Sequence, residues 1–429
     1  MREIKKEQKG KNQNLFNAIP SKEIIIESGK DCYLYDTLNN QYLDLGAGIW
    51  CSILGHSNSN LINSIKNQAE KLMHIGSGFY SKSVYDAIEE ICSIVPKNLE
   101  KVILLCTGSE ATECALKIAN VYTDKYEIIG MERGYYGITF GAQSASGFGP
   151  LYGMTSPRMV GAHKILAPYC YRCPVKQHYP DCSFLCLDVS KKLIDSNTSG
   201  KIAAFIFEPI LAAGGIIVPP KGYFKRLKEI ADEYGALLID DEVSTGIGRT
   251  GEWFGIQHYD IIPDVLYISK TLGGGFPIAA VITTPEIELK CQEKHMIHVQ
   301  SHMFDPLPAA SANAVIKEVK AKNLIENSKE MGMYFLNKLK DLKEKYEIIG
   351  DVRGKGLMLG IEIINPKTNK PNPDLGRKLE QEFLKKKLIA SFSSFTSVFR
   401  LFPPLIIKKE EIDNAIEIFN EVLHNYNQN

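Results

Sequence analysis

The chain has 429 residues, and its 50 lysines and arginines balance 50 aspartates and glutamates, so its formal net charge at pH 7 is zero. With 44% hydrophobic and 23% charged residues its composition is that of an ordinary globular protein, which excludes a disordered or collagen-like chain. The even charge balance gives no reason to expect a nucleic acid partner.

Taken in chain order, EIIIES, CYLYD and QYLDL are short β-rich runs. The turn-forming Asn39-Asn40 between the last two predicts a small antiparallel flap within residues 1–50. From about residue 58, helical patterns (LINSIKNQAEKLM, DAIEEICSIV, EATECALKIANVY, FKRLKEIADEYG) alternate with apolar runs (VILLC, YEIIGM, IAAFIFE, ALLID, VLYIS, AAVITT). This alternation predicts an α/β fold with a mostly parallel, doubly wound sheet across residues 51–307. Long helical stretches, the segments GLMLGIEI and VFRLFPPLII, and a last amphipathic helix from about residue 409 predict a smaller α/β domain over 308–429. No apolar run reaches the ~18 residues of a membrane span, and MREIKKEQKGKNQN has no apolar stretch behind its charges, so the expectation is a cytoplasmic protein without membrane contact. Ten cysteines are too few for a disulfide scaffold at this length.

In open parallel sheets ligands bind beyond the carboxyl ends of the strands, so the residues that follow each apolar run carry the search for chemistry. VILLC leads into Thr107-Gly108-Ser109-Glu110 and a helix, where a small residue, a hydroxyl and free N–H groups suit a phosphate, or form an ordinary helix cap. ALLID ends in Asp240-Asp241-Glu242, carboxylates able to meet a cation or to cap a turn. The following Gly246-x-Gly248-x-x-Gly251 matches a dinucleotide fingerprint, but no helix opens there and GEWFGIQ follows, so the match is set aside. VLYIS ends at Lys270, whose burial would favour the neutral, imine-forming amine; a solvent-exposed strand-exit lysine is the alternative. Arg400, embedded in VFRLFPPLII, offers a planar fork for a carboxylate, or for a structural ion pair. Together the four positions supply a phosphate cradle, an anion, an imine-forming lysine and a carboxylate clamp, which are the requirements of pyridoxal phosphate chemistry.

The ordered segments CTGSEATECALKIA, GYYGITFGAQSASG, FEPILAAGGIIVPPKGYFKRLKEIADEYGALLIDDEVSTGIGRTG, YISKTLGGGFPIAA and RLFPPL resemble class III pyridoxal-phosphate aminotransferases of fold type I. The pattern is most similar to 2,2-dialkylglycine decarboxylase. The resemblance implies that Lys270 joins the cofactor and shuttles a proton, and that Asp241 pairs with the pyridinium nitrogen. Val243 and Tyr135 would cover the two ring faces, with Tyr136 beside the latter where a histidine is usual. Gly108, Ser109 and a Ser301 reaching in from a neighbouring subunit would hold the phosphate. Ser244 stands where many members have a glutamine on the cofactor's phenolic oxygen. Arg400 would take the substrate carboxylate, with Glu208, Trp50, Ser77, Phe79 and Tyr80 nearby. Implied too are a homodimer or dimer of dimers with shared sites, and a ping-pong transfer between an amino donor and a 2-oxo acid. Ser77, Ser301 and Asp305 would supply an alkali-cation site. Decarboxylation-dependent transamination is the first alternative, yet Ile49 replaces the glutamine that supports it in that family. A racemase or aminomutase and a non-catalytic scaffold complete the alternatives, and retention of Lys270, Asp241 and Arg400 together speaks against the scaffold.

Four cysteines, Cys170, Cys173, Cys182 and Cys186, fall within APYCYRCPVKQHYPDCSFLC at spacings open to a structural zinc ion, an iron–sulfur cluster or free thiols. His295, His298 and His302 form H-x2-H-x3-H without an accompanying carboxylate motif, and no metal is expected there.

Overall fold

The computed structural model describes residue 16, residue 22 and residues 24–76, 78–149 and 158–427. The flap forms as the turn signal requires: β1 (Ile26–Lys30), β2 (Tyr33–Asp36) and β3 (Gln41–Asp44) pair antiparallel in sequence. Asp36 fixes the turn, its carboxylate accepting the backbone N–H of Leu38 at 2.9 Å and of Asn40 at 2.8 Å.

Seven strands make the central sheet: β4 (Lys101–Leu105), β5 (Glu127–Met131), β6 (Ala162–Ile165), β7 (Ile202–Phe207), β8 (Leu237–Asp241), β9 (Val265–Ile268) and β10 (Ala279–Thr283). Their spatial order is β4-β10-β9-β8-β7-β5-β6. All run parallel except β10, which is antiparallel to both neighbours. Every residue of β5, β7, β8, β9 and β10 is buried, because helices cover both faces. Among these helices, α1 (Ser59–Lys71) and α2 (Lys82–Cys92) come before the sheet. Then come α3 (Gly108–Thr123) after β4, the short α4 (Phe140–Ala145), α5 (Leu185–Asn197) after β6, α6 (Tyr223–Glu233) before β8 and α7 (Pro285–Glu293) after β10.

The helix α8 (Pro306–Ala321) starts with proline at its first position and packs on α1 and α2, so the expected boundary at residue 308 falls inside a continuous helix. After α9 (Leu324–Lys345), the strands β11 (Ile349–Lys355) and β12 (Met358–Asn365) form an antiparallel pair, with the two-residue β13 (Lys370–Pro371) at the far end of β12. The helix α10 (Pro373–Lys385) follows, then β14 (Leu388–Ile389), β15 (Ser391–Ser393), β16 (Val398–Leu401) and α11 (Lys409–Asn427). β16 pairs antiparallel with both β12 and β15, while β14 runs parallel to β3 and binds the N-terminal flap to the C-terminal domain. No helix among the described residues is long and apolar enough to cross a membrane.

Candidate active site

The carboxyl ends of β4, β5, β7, β8 and β9 converge on one edge of the central sheet, and most of the side chains singled out from the sequence lie there. Lys270 directly follows the residue that leaves β9. Its φ of +24° is strained for a side-chain-bearing residue, of the kind that persists where surrounding structure imposes it. Its Nζ donates to Ser244 Oγ at 3.1 Å and sits 4.4 Å from the centre of the Trp50 indole. Burial lowers its pKa, against the opposing pull of Asp241. The ammonium is thus shifted toward the free amine that nucleophilic chemistry needs.

Asp241, 4% exposed, accepts Tyr267 Oη at 2.6 Å and the Val243 N–H at 2.9 Å. Burial raises its pKa to about 6, while those two hydrogen bonds and Lys270 oppose the rise. Tyr267 is a residue the sequence reading missed. It is the register partner of Asp241 across β8 and β9, so the two side chains emerge on the same face. Thr112, one turn into α3, donates to Tyr267 Oη at 3.0 Å and extends the chain of bonds behind the carboxylate. Strand alternation sends Asp240 and Glu242 the other way. Glu242 accepts the N–H groups of Gly255 and Ile256 at 2.9 and 2.8 Å, which clasps the loop after β8. Burial, then Glu242, holds Asp240 well above the carboxylate range. The glycine fingerprint in that loop opens no helix, and its Arg249 is completely buried, with Nη1 donating to the carbonyls of Leu357 (3.2 Å) and Pro403.

At the start of α3 a capping box closes the helix: Thr107 accepts the Glu110 N–H while the Glu110 carboxylate accepts the Thr107 N–H. The first-turn N–H groups of Gly108 and Ser109 have no acceptor within the helix. Ser109 Oγ accepts the Ile138 N–H at 3.0 Å, and a Cβ on Gly137 would stand 2.4 Å from that oxygen, so glycine is required for the loop to approach the helix. A Cβ on Gly108 would meet Val243 at 3.2 Å, which brings the ends of β4 and β8 into contact.

Glu208, at the end of β7, is 3% exposed and accepts the Tyr135 N–H and the Ala212 N–H, both at 2.9 Å. It anchors the loop that carries Tyr135. Burial, then Asp241, raises its pKa to about 8. Tyr135 is half-buried and meets Phe148 edge-on at 6.2 Å. Tyr136 is placed differently from the expectation. Its ring lies in the core, its hydroxyl donates to the Ile206 carbonyl at 2.9 Å and accepts the Met131 N–H at 3.1 Å. A ring so enclosed is not a face presented to a ligand.

Arg400, on β16, crosses from the C-terminal domain to this edge. Its Cζ is 5.2 Å from the centre of the same Trp50 indole, which is itself stacked on Phe402 at 4.3 Å. The Nε is buried without a hydrogen-bond partner and no carboxylate pairs with the guanidinium among the described residues. Burial lowers its pKa to about 10. An arginine in this state fits an incoming carboxylate. Trp50 is held by a left-handed turn in which Ala47, Gly48, Ile49 and Trp50 have φ of 42°, 57°, 57° and 75°. Ile49 is 70% exposed.

Ser77 lies outside the described residues, and Ser301 is exposed on a turn before α8. Both oxygens of Asp305 are engaged, Oδ1 with His74 Nδ1 at 2.6 Å and Oδ2 with His302 Nδ1 at 2.7 Å. The carboxylate expected to serve an alkali cation is thus occupied by imidazoles, a grouping that the spacing of His295, His298 and His302 did not reveal. The buried acid, the shielded amine beside a hydroxyl, the open helix terminus and the unpaired arginine fit a phosphorylated pyridine aldehyde with a carboxylate-bearing substrate.

The class III aminotransferase family profile matches residues 17–423. An uncharacterized aminotransferase of Schizosaccharomyces pombe is 40% identical over 404 residues, covering 93% of this chain and 90% of its own. A leucine/methionine racemase of Thermococcus litoralis is 34% identical over 398 residues, 92% of this chain and 89% of its own. Among solved structures, a transaminase from the marine bacterium Virgibacillus superposes with a TM-score of 0.91 at 29% identity, over 99% of both chains. An amine transaminase from an uncultivated Pseudomonas species, in its pyridoxal-phosphate-bound form, gives 0.91 at 27% identity over 96% of this chain and 99% of its own.

Proposed function

From the chain's membership of the class III aminotransferases, which makes it a pyridoxal-phosphate-dependent transaminase, we propose that it moves the amino group of an α-amino acid to a 2-oxo acid in a ping-pong cycle. The observation that carries the choice of carboxylate-bearing substrates is Arg400, unpaired and resting with Lys270 on one indole.

The bound cofactor supplies an electron sink for the α-carbon. Lys270, its ammonium disfavoured by burial, would hold the cofactor through its amine and would carry the proton to and from the substrate α-carbon. Ser244 Oγ holds the Lys270 amine when it is free. Asp241, whose ionised form is favoured by Tyr267 and the Val243 N–H, would pair with the pyridine nitrogen and favour its protonated state. Gly108 and Ser109, at the start of α3, would hold the phosphate. Tyr135 and Val243 would hold the ring, and Glu208 keeps the loop of Tyr135 in place. Arg400 orients the carboxylate and Trp50 keeps water from the reacting carbon.

The working unit is a homodimer in which Ser301 completes the neighbouring phosphate site. Exposed Met73, Phe79, Tyr80, Ile297 and Val299 support an apolar contact with a second copy. None of the ten cysteines is in a disulfide, which supports a reducing compartment such as the cytoplasm. Racemisation is the second reading, supported by the similarity to the Thermococcus racemase. The test is a screen of amino donors against pyruvate and 2-oxoglutarate, with carbon dioxide and substrate chirality followed in parallel. Amine transfer that requires the 2-oxo acid supports transamination. Loss of optical purity without any 2-oxo acid would replace it with racemisation.

A further inference from the structure

The connection between β6 and α5 carries four cysteines for which transamination has no use. Cys170 and Cys173 bracket a single 3-10 turn, Cys170–Arg172, and Cys186 lies in the first turn of α5. With Cys182 they line one cavity of about 20 Å³, and none is in a disulfide. A backbone donor is already aimed at one of the sulfurs: the Gln177 N–H donates to Cys173 Sγ at 3.4 Å.

We infer that Cys170, Cys173, Cys182 and Cys186 form a structural site for a single zinc ion. The two pairs, C-x2-C and C-x3-C, are each short enough to chelate, and four thiolates complete a tetrahedral shell with no open position. The cavity is close to the space one water molecule takes, which is enough to admit a single ion. Among the described residues only His74, His302 and Asp305 bring three ligand atoms within 4.8 Å of one another, so the four sulfurs must close in on the metal. A Zn–S bond of about 2.3 Å sets them about 3.8 Å apart. Four thiols give up four protons, and the site becomes a dianion around Zn²⁺.

The consequence is mechanical. Between Cys170 and Cys173 stand Tyr171 and Arg172, which reach the C-terminal domain. Tyr171 Oη donates to Asn369 Oδ1 at 3.4 Å, Arg172 Nη1 to the Asn369 carbonyl at 3.1 Å, and Arg172 Nε to Glu362. An ion that fixes the knuckle fixes this grip between domains.

Elemental analysis of the full-length enzyme purified under reductant is expected to find about one zinc per chain. The double variant C170S/C173S should lose the zinc while H74A/H302A keeps it. Should the cysteine variant fail to fold, cobalt substitution of the wild-type enzyme gives a separate answer, a sulfur-to-cobalt charge-transfer band being expected. Chelation of the wild-type metal should speed amide exchange in 169–186 and around Asn369. Absence of stoichiometric metal and of the cobalt band, disulfides among these cysteines under reductant, or metal lost only from H74A/H302A would each overturn the site. None of these readings depends on turnover.

Discussion

Asp241 is the side chain where burial and hydrogen bonding compete most directly. Removing the Tyr267 hydroxyl in Tyr267→Phe takes away a bond that favours the carboxylate, so the folded pKa of Asp241 moves further up. Because the ionised form is the one that pairs with a pyridinium, the acid limb of the kcat/KM profile should move to higher pH. A bond to a charged group is worth ~1.5–3 kcal/mol, or about one to two pH units. A superimposable pH profile in the variant would show that Tyr267 does not set this ionisation. Arg400 makes a different prediction, for substrates rather than pH. Arg400→Gln should lower kcat/KM for 2-oxo acids by ~10- to 100-fold, the loss of a charge-assisted pair. Amine donors without a carboxylate should be spared in their own half-reaction, and an equal loss for both donor types would remove Arg400 from carboxylate recognition. Lys270, Asp241 and Arg400 were legible in the sequence because charged residues ending or interrupting apolar runs are costly without a purpose. Tyr267 was not, since a tyrosine inside VLYIS looks like core until the register sets it beside Asp241. Tyr136 misled for the opposite reason: its neighbour's place at the site suggested a shared role, whereas successive residues in the loop turn to opposite sides.

At the scale of elements, alternation of helical and apolar patterns was enough to read the parallel sheet. It could not show that β10 is reversed, because a strand buried on both faces has the same pattern in either direction. The flap was readable from Asn39-Asn40, but its pairing with β14, more than 300 residues later by numbering, carries no local signal. The left-handed turn at 47–50 was also hidden, because GAGIW contains two residues, Ile49 and Trp50, that disfavour that conformation. A β-branched residue at positive φ costs roughly 1–2 kcal/mol. Ile49 is exposed within the protomer, so Ile49→Gly sacrifices little packing there. The variant should unfold at a higher temperature in a calorimetric scan, by an amount corresponding to about 1 kcal/mol. A clear fall in melting temperature would instead mean that Ile49 is covered by another subunit, and sedimentation of the variant would then show a weakened assembly.

The whole molecule concentrates acids at one buried edge, and this has a consequence for its stability when no cofactor is bound. Burial raises Asp241 to about 6, Glu242 to about 7 and Glu208 to about 8, against ordinary values of 3.8, 4.5 and 4.5. For each, the folded state holds a proton that the unfolded chain has already released between the two values. Stability therefore falls as pH rises through that interval, being greatest below about 4 for these groups and least above about 8. This is the reverse of a salt-bridged aspartate, whose depressed pKa stabilises the fold at neutral pH. The cofactor-stripped enzyme should accordingly melt at progressively lower temperature from pH 5 toward pH 8, windows set by those shifted groups. A cation bonded to Asp241 offsets part of the loss, so the loaded enzyme should show a flatter dependence, and the stabilisation on adding pyridoxal phosphate should grow with pH. Thermal scans of the stripped and loaded protein across a buffer series measure both slopes. If the stripped protein gained stability with pH over this range, the buried acids would have to be compensated by charges other than those facing them in the fold.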